Sequence, residues 1–229
     1  MMFTKLSVLF GRAKYILKDE GAVHFIGLAF SRLRRFVYSD KTYYYYEKEL
    51  TEQDEFDFTP KIPGATLEII RTPEQFDELV DRGYRFGSWV SKQLIGLGAI
   101  AFCVFVQREL CHITLAATTA ESKKYVDPFP FKVDFHKGEV CIGNGRTSNK
   151  YRGQGLFNYM FSRLFHFLRE EGKTTIKFTI TINNIPSQNE VAKFNPKRIK
   201  LRYIRVFERV YVKVIPLADI NNSGKCAFS

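Results

Sequence analysis

Residues 149–156 read Asn-Lys-Tyr-Arg-Gly-Gln-Gly-Leu and set two glycines, Gly153 and Gly155, one residue apart just ahead of an amphipathic stretch. Those residue types in that order suit phosphate binding. Glycine has no Cβ, so the chain can turn sharply and bring its backbone close to a ligand. The first N–H groups of a helix have no partner within it, and the dipole at that end favours negative charge. A glycine turn that opens a helix is therefore a potential anion site. A turn that does nothing but start the helix would carry the same two glycines.

The elements that must position this loop are legible on both sides of it. Leu156, Phe157, Met160, Phe161, Leu164, Phe165 and Leu168 recur at helical spacing through Arg169, and Gly172 supplies a stop. From Thr174 to Ile182 the chain alternates: Ile176, Phe178, Ile180 and Ile182 point one way, and Thr175, Lys177, Thr179 and Thr181 the other. That is the pattern of a half-buried strand. Glu139 to Arg146 reads as the strand that feeds the loop. Strand, glycine turn, helix and strand form a βαβ unit. The loop sits at the carboxyl end of its first strand, where such sheets place ligands.

Tyr151-Arg152-Gly153-Gln154-Gly155-Leu156 resembles the acyl-CoA loop of the GNAT acyltransferase superfamily, (Gln/Arg)-x-x-Gly-x-(Gly/Ala), with Arg152 at the first position and Gly155 at the fourth. Phe157 stands where the family has Gly or Ala. Asn184-Ile185-Pro186-Ser187 resembles the family's Asn-x-x-(Ala/Ser) signature, and Val191 occupies the place of the Tyr that often serves there as general acid. By element order the resemblance covers roughly residues 62 to 215. It implies a mixed α/β (α+β) domain with a central twisted mixed sheet flanked by helices. It also implies N-acyl transfer from acetyl-CoA or another acyl-CoA to a primary amine. The backbone N–H groups of Arg152, Gly153, Gln154, Gly155 and Leu156 would hold the pyrophosphate, with Asn184 beside the pantetheine arm. The amine attacks the thioester through a tetrahedral intermediate, whose oxyanion needs a hydrogen-bond donor. A base must take the ammonium proton, and an acid can protonate the thiolate. Where the family often carries a catalytic Glu, Glu139 stands as a candidate base with His136 close by; either can instead be a solvated charge at a strand end, and Glu121 and Asp134 stay open beside them. Ser187 is a contact to the arm or to a bridging water, or else the N-cap of the next helix. The element order and basic leader are also similar to GNAT-type proteins that accompany cell-surface polysaccharide synthesis, which would make the acceptor an amino sugar or its nucleotide conjugate.

Composition bounds these readings. A chain of 229 residues with 45% hydrophobic and 15% aromatic content can bury a sizeable core and is not disordered. A net charge of +11 favours anions of any kind. The four cysteines, Cys103, Cys111, Cys141 and Cys226, have no metal-ligand spacing and read as unpaired thiols in a reducing compartment. Val8-Leu9-Phe10 is too short for a signal peptide's apolar region. The longest uncharged apolar run, Leu94 to Val106, falls short of the roughly 20 residues of a spanning helix. The chain is expected to be cytoplasmic, possessing at most a peripheral membrane contact, and to need no metal.

Residues 1–40 read as a basic helical extension. Leu6, Leu9, Phe10, Ala13, Ile16 and Leu17 share one face over residues 3–18, and a second stretch spans Ala22 to Val37. Such a segment can lie on an anionic membrane surface, or pack on the body with its charges in water. Residues 41–216 form the acyltransferase-like domain and 217–229 a frayed tail. Within the domain, Tyr43-Tyr44-Tyr45-Tyr46 suits a strand, and Thr72-Pro73-Glu74-Gln75 opens a helix with a capping box. A short helical piece is expected over Phe86 to Leu94. Strands are expected over Ala99 to Gln107, Leu110 to Ala117, and in two runs from Ile199 to Ile215. Two other functions fit the same residues. One is a GNAT-like module that binds CoA or a partner without catalysis, which Phe157 and Val191 favour. The other is a basic nucleic-acid-binding protein, against which stand scattered Lys/Arg and the lack of an RNA-binding motif.

Overall fold

The computed structural model describes residues 38–52, 57–87, 89–207 and 209–216. The helices expected over 3–18 and 22–37, and the tail 217–229, lie outside them. The elements run β1 (Tyr38–Glu49), β2 (Ala65–Ile70), α1 (Pro73–Asp81), α2 (Lys92–Gly96), β3 (Ala99–Val106), β4 (Glu109–Ala117), α3 (Ala120–Val126), β5 (Glu139–Thr147), α4 (Leu156–Glu170), β6 (Thr175–Thr181), α5 (Ile185–Ala192), β7 (Lys197–Val206) and β8 (Arg209–Ile215). One sheet takes the order β2-β3-β4-β5-β6-β1-β7-β8. β1 with β6, β2 with β3, β3 with β4 and β4 with β5 pair antiparallel, and β5 with β6 pairs parallel. The expected architecture, a mixed sheet flanked by helices, is the one found.

Local chemistry explains the boundaries. Thr72 caps α1 as the sequence pattern predicts: its side chain accepts from Gln75 N, and the Gln75 amide oxygen accepts from Thr72 N at 3.2 Å. Pro73 at the first turn loses no hydrogen bond there. The helix expected over Phe86 to Leu94 instead starts at Lys92, because Ser91 is the residue whose hydroxyl caps the chain, accepting from Leu94 N at 3.2 Å. Phe86 and Val90 are buried as irregular chain. Helix α3 had no periodic signal over its seven residues; Thr119 and Ser122 build a capping box that starts it.

Residues 43–200 form one compact unit, and the described residues 38–42 and 201–216 belong to another. In the first unit the sheet has a core on each face. Met160, Phe161, Leu164, Phe165 and Leu168 of α4 pack over Val140, Ile142, Ile176 and Phe178. On the other face, Leu79 and Ile95 meet Ile70, Ala101, Cys103, Ile113 and Leu115. The tyrosine run divides by strand alternation. Tyr46 is buried in the α4-side core and stacks on Phe178, while Tyr43 and Tyr45 lie edge-on or tilted to Phe129 and Phe131. Cys103, Cys111 and Cys141 are free and buried, and burial raises all three thiols. In the second unit, Arg202 forks onto Asp40 with bonds of 3.0 and 2.6 Å. Among the described residues no helix is long and apolar enough to cross a membrane.

Candidate functional site

Strands β5 and β6 are parallel but stay together only briefly. Glu139, Val140 and Cys141 pair with Thr175, Ile176 and Lys177, and beyond them the ladder stops. Two features hold the strands apart. Between Ile113 and Leu115 the single residue Thr114 faces both Asn144 and Gly145, a bulge in which Asn144 takes φ 53°. Bulges bend and twist the strand that carries the extra residue. The end of α3 then enters the gap: Asn144 Nδ2 donates to Tyr125 O at 2.9 Å, and Asp127 accepts from Thr179 N at 3.1 Å and Thr179 Oγ1 at 2.8 Å. Thr179 N–H thus finds its partner in a side chain in place of a neighbouring strand. Burial raises the Asp127 carboxyl, against the bonds it accepts from Phe129 and Thr179.

A cleft of about 1300 Å³ occupies this divergence, larger than the roughly 300–1,000 Å³ of most small-ligand sites. The glycine loop forms one end of it. Ser148 N donates to Cys111 O at 2.9 Å, and Tyr151 Oη to Glu109 at 3.0 Å, so the loop leaves β5 along β4. Lys61 N donates to Gln154 O at 2.9 Å and ties the segment before β2 onto the loop. Gly153 and Gly155 both take φ +75°, and Gly155 is the residue that caps α4. Left-handed residues alternating with others turn successive N–H groups toward one side, a concavity that binds anions. Among the described residues no acceptor is bonded to the N–H of Gly153, Gln154, Gly155, Leu156, Phe157 or Asn158. A Cβ at Gly153 would meet no atom, so conformation rather than crowding calls for glycine there.

The cleft is basic. Lys61, Arg146, Arg152 and Lys193 line it, against a single carboxylate among the described residues, Glu190, which Lys193 holds at 2.7 Å. Its floor is aromatic: Phe157 stacks on Phe161 at 4.3 Å and meets His112 edge-on at 5.9 Å. The phenyl group at the family's Gly/Ala position is thus part of the cleft wall. Val191, at the position of the family's acid, is buried beside it.

No protein-family profile matches the sequence, and no curated protein matches it either. Solved structures resemble it in outline at low identity. A GNAT-family acetyltransferase from Colwellia psychrerythraea is 12% identical, with a TM-score of 0.46 over 73% of this chain and 55% of its own. A GCN5-related N-acetyltransferase-like protein from Streptococcus suis is 11% identical, with a TM-score of 0.46 over 78% of this chain and 67% of its own. A functionally unknown conserved protein from Staphylococcus epidermidis is 9% identical, with a TM-score of 0.43 over 78% and 67%. Among these, the chain spans little more than half to two thirds of the length of the protein it matches.

The residues singled out in the sequence divide between cleft and elsewhere. Arg152, Gly153, Gln154, Gly155, Leu156, Asn184 and Ser187 all line the cleft. Asn184 caps α5, its Oδ1 accepting from Ser187 N at 3.4 Å, so the cap is Asn184 and not Ser187. Glu139 and His136 do not line it. Glu139 begins β5 at the closed end of the β5/β6 pair, where it accepts from Lys177 Nζ at 2.5 Å and Asp134 N at 2.7 Å. Burial would raise its carboxyl; those two donors outweigh it and hold the group below the usual range. A carboxylate so engaged is not free to take a proton. His136 sits in the turn just before it.

His112, which has no motif to mark it, is the imidazole that does face the cleft. It is 1% exposed, with Nδ1 2.7 Å from Thr147 Oγ1 and Nε2 3.4 Å from Thr114 Oγ1. Burial pushes its pKa down to about 3. The depressed value fixes the sign of a stability effect. The unfolded chain takes up a proton at this ring below about pH 6.5, and the fold refuses it until about pH 3. The contribution is therefore whole above the unfolded value and is lost as pH falls below it. Urea midpoints measured from pH 7 to 4 should fall more steeply for the native protein than for His112→Gln; parallel slopes would remove this assignment.

Proposed function

We propose that the protein is an N-acyltransferase that moves an acyl group, most simply acetyl, from acyl-CoA to a primary amine. One observation carries the reading: a basic cleft opens where β5 and β6 part, and six consecutive amides of its glycine loop have no acceptor among the described residues. Those amides, with Arg152 and Lys61, would hold the donor's phosphates. Phe157, Phe161 and Phe178 give the arm an apolar wall. Bound acyl-CoA supplies the activated thioester, and the protein's part is to orient it and keep an amine beside its carbonyl carbon. Resemblance at the loop and at Asn184/Ser187 supports the donor. The amino-sugar acceptor, the domain limits 1–40, 41–216 and 217–229, and a cytoplasmic protein resting on membrane through its basic leader belong to the same reading.

Among the described lining residues no carboxylate or imidazole is free to act as base. Glu190 is paired with Lys193, and His112 stays neutral above about pH 3. The amine must therefore arrive uncharged. With acceptors of differing basicity, kcat/KM should climb tenfold per pH unit up to each amine's own pKa and follow that pKa from one amine to the next. A common inflection independent of the amine would reveal a base on the protein. The reading itself is tested by thermal shift with acetyl-CoA, where saturation at 100 times Kd stabilises by about 2.7 kcal/mol, and by thiol release with an amine panel. Stabilisation without thiol release would favour the second reading, a CoA-binding module, which the buried Val191 at the acid position supports.

A further inference from the structure

Three cations line the cleft whose side chains make no ion pair or hydrogen bond among the described residues: Lys61, Arg146 and Arg152. Two of them belong to the loop. Arg152 lies within it, and Lys61 is joined to it through Gln154. Arg146 differs in position. It is the register partner of Ile113, which is fully buried in the core beneath α1 and α2, so Arg146 stands on that face of the sheet and not on the face covered by α4. The other cleft residues of this face are Trp89, which packs against the same core, Tyr43, Thr179 and its strand neighbour Thr181. Tyr43 is the partner of Thr181 and meets Phe129 edge-on at 5.0 Å. Among the described residues that line this end none is a carboxylate; Asp127 lies behind Thr179, already bonded to its N and Oγ1.

We propose that this end receives the acceptor, and that Arg146 pairs with an anionic group, phosphate or carboxylate, carried by the amine-bearing molecule. The inference rests on the acyltransferase reading. Arg146 projects from the opposite face to the loop amides, so an anion that meets it has to come from the second substrate. A guanidinium left unpaired recruits such a group and repels a cationic one. Trp89 and Tyr43 supply flat apolar surface and Thr181 supplies a hydroxyl, a lining that suits the body of a polar ring. Polyamines and lysine-rich peptides, whose positive charge meets a guanidinium here and no carboxylate among the described lining residues, are the wrong class.

The test compares matched amines with the native protein, Arg146→Gln and Arg146→Lys. Glucosamine 6-phosphate is set against glucosamine for a phosphate, 4-aminobutyrate against butylamine for a carboxylate, and putrescine serves as the dication. Thiol release gives kcat/KM, and calorimetry gives the Kd of each amine and of acetyl-CoA. The native protein should prefer one or both anionic members about tenfold or more, with the stronger pair naming the anion. Arg146→Gln should erase that preference and leave the acetyl-CoA Kd unchanged, and Arg146→Lys should keep part of it. Preference for putrescine, an anion preference that survives Arg146→Gln, or binding of no anionic amine would overturn the proposal. A weakened acetyl-CoA Kd in Arg146→Gln would overturn it too, by assigning Arg146 to the donor. Failure of the native protein to bind acetyl-CoA sinks the acyltransferase reading instead, and the calorimetric comparison of the amines still decides for or against Arg146.

Discussion

Gly155→Val should leave a folded protein that no longer binds acyl-CoA. Gly155 caps α4 at φ +75°, a conformation that costs an L-residue roughly 1–2 kcal/mol, and a β-branched side chain adds crowding. Space in the fold is not the obstacle, since a Cβ there would find only Thr59 O, at 3.8 Å. The loss of stability should therefore stay near that conformational cost. Binding suffers far more. The residue lies in the middle of the row of unpaired amides, and turning it to an ordinary φ redirects its neighbours. Each hydrogen bond to a charged group is worth about 1.5–3 kcal/mol, so forfeiting two weakens binding by more than about 100-fold. The native protein should gain thermal stability from acetyl-CoA and the variant should gain none, while their circular dichroism spectra coincide. Equal shifts in the two proteins would show that the loop does not hold the phosphates.

Gly143→Ala should damage the fold at the cleft's hinge. Gly143 does not need a left-handed backbone; it needs room, because a Cβ would fall inside contact distance of the Val126 carbonyl oxygen, with more of Val126 just behind. Both partners are main chain. Val126 ends α3, whose next residue, Asp127, reaches Thr179 on β6. One methyl group therefore has to lift the end of α3 away from β5 or loosen the hold on β6. Overpacking of this kind costs typically 1–3 kcal/mol, and a domain of this size loses about 2–4 °C of Tm per kcal/mol. Differential scanning calorimetry reads it directly. An unchanged Tm would mean that α3 is free to shift, and with it the spacing of the two strands.

Much of this arrangement was legible because it is periodic or capped. Helix α4 ends one residue past its expected limit, β6 is one residue shorter at each end, and Thr72 and Gln75 make the box that their spacing announces. The glycine loop was legible because φ +75° leaves few alternatives to glycine. What escaped depends on distant partners. Proximity along the chain made Glu139 and His136 candidates, since they precede the loop, but a strand of nine residues separates its ends by about 25 Å. Glu139 is at the wrong end of β5. His112 and Arg146 reach the cleft through strand register and a bulge, and neither leaves a local trace. Helix α3 is one short stretch without periodicity, though its Asp127 props the strands apart.

The place of β1 has a consequence in time. Its residues 43–49 pair with 175–181 of β6, and Tyr46 stacks on Phe178. Almost the whole domain lies between the two halves of that ladder. Loop closure over so long a span is entropically costly, and folds dominated by such contacts form slowly. During synthesis a tyrosine-rich strand emerges first and waits for β6 with its hydrogen-bonding edges bare. That interval exposes it to pairing with other chains. The strand that supplies Tyr43 to the cleft is among the first parts of the domain to be made and among the last able to take its place.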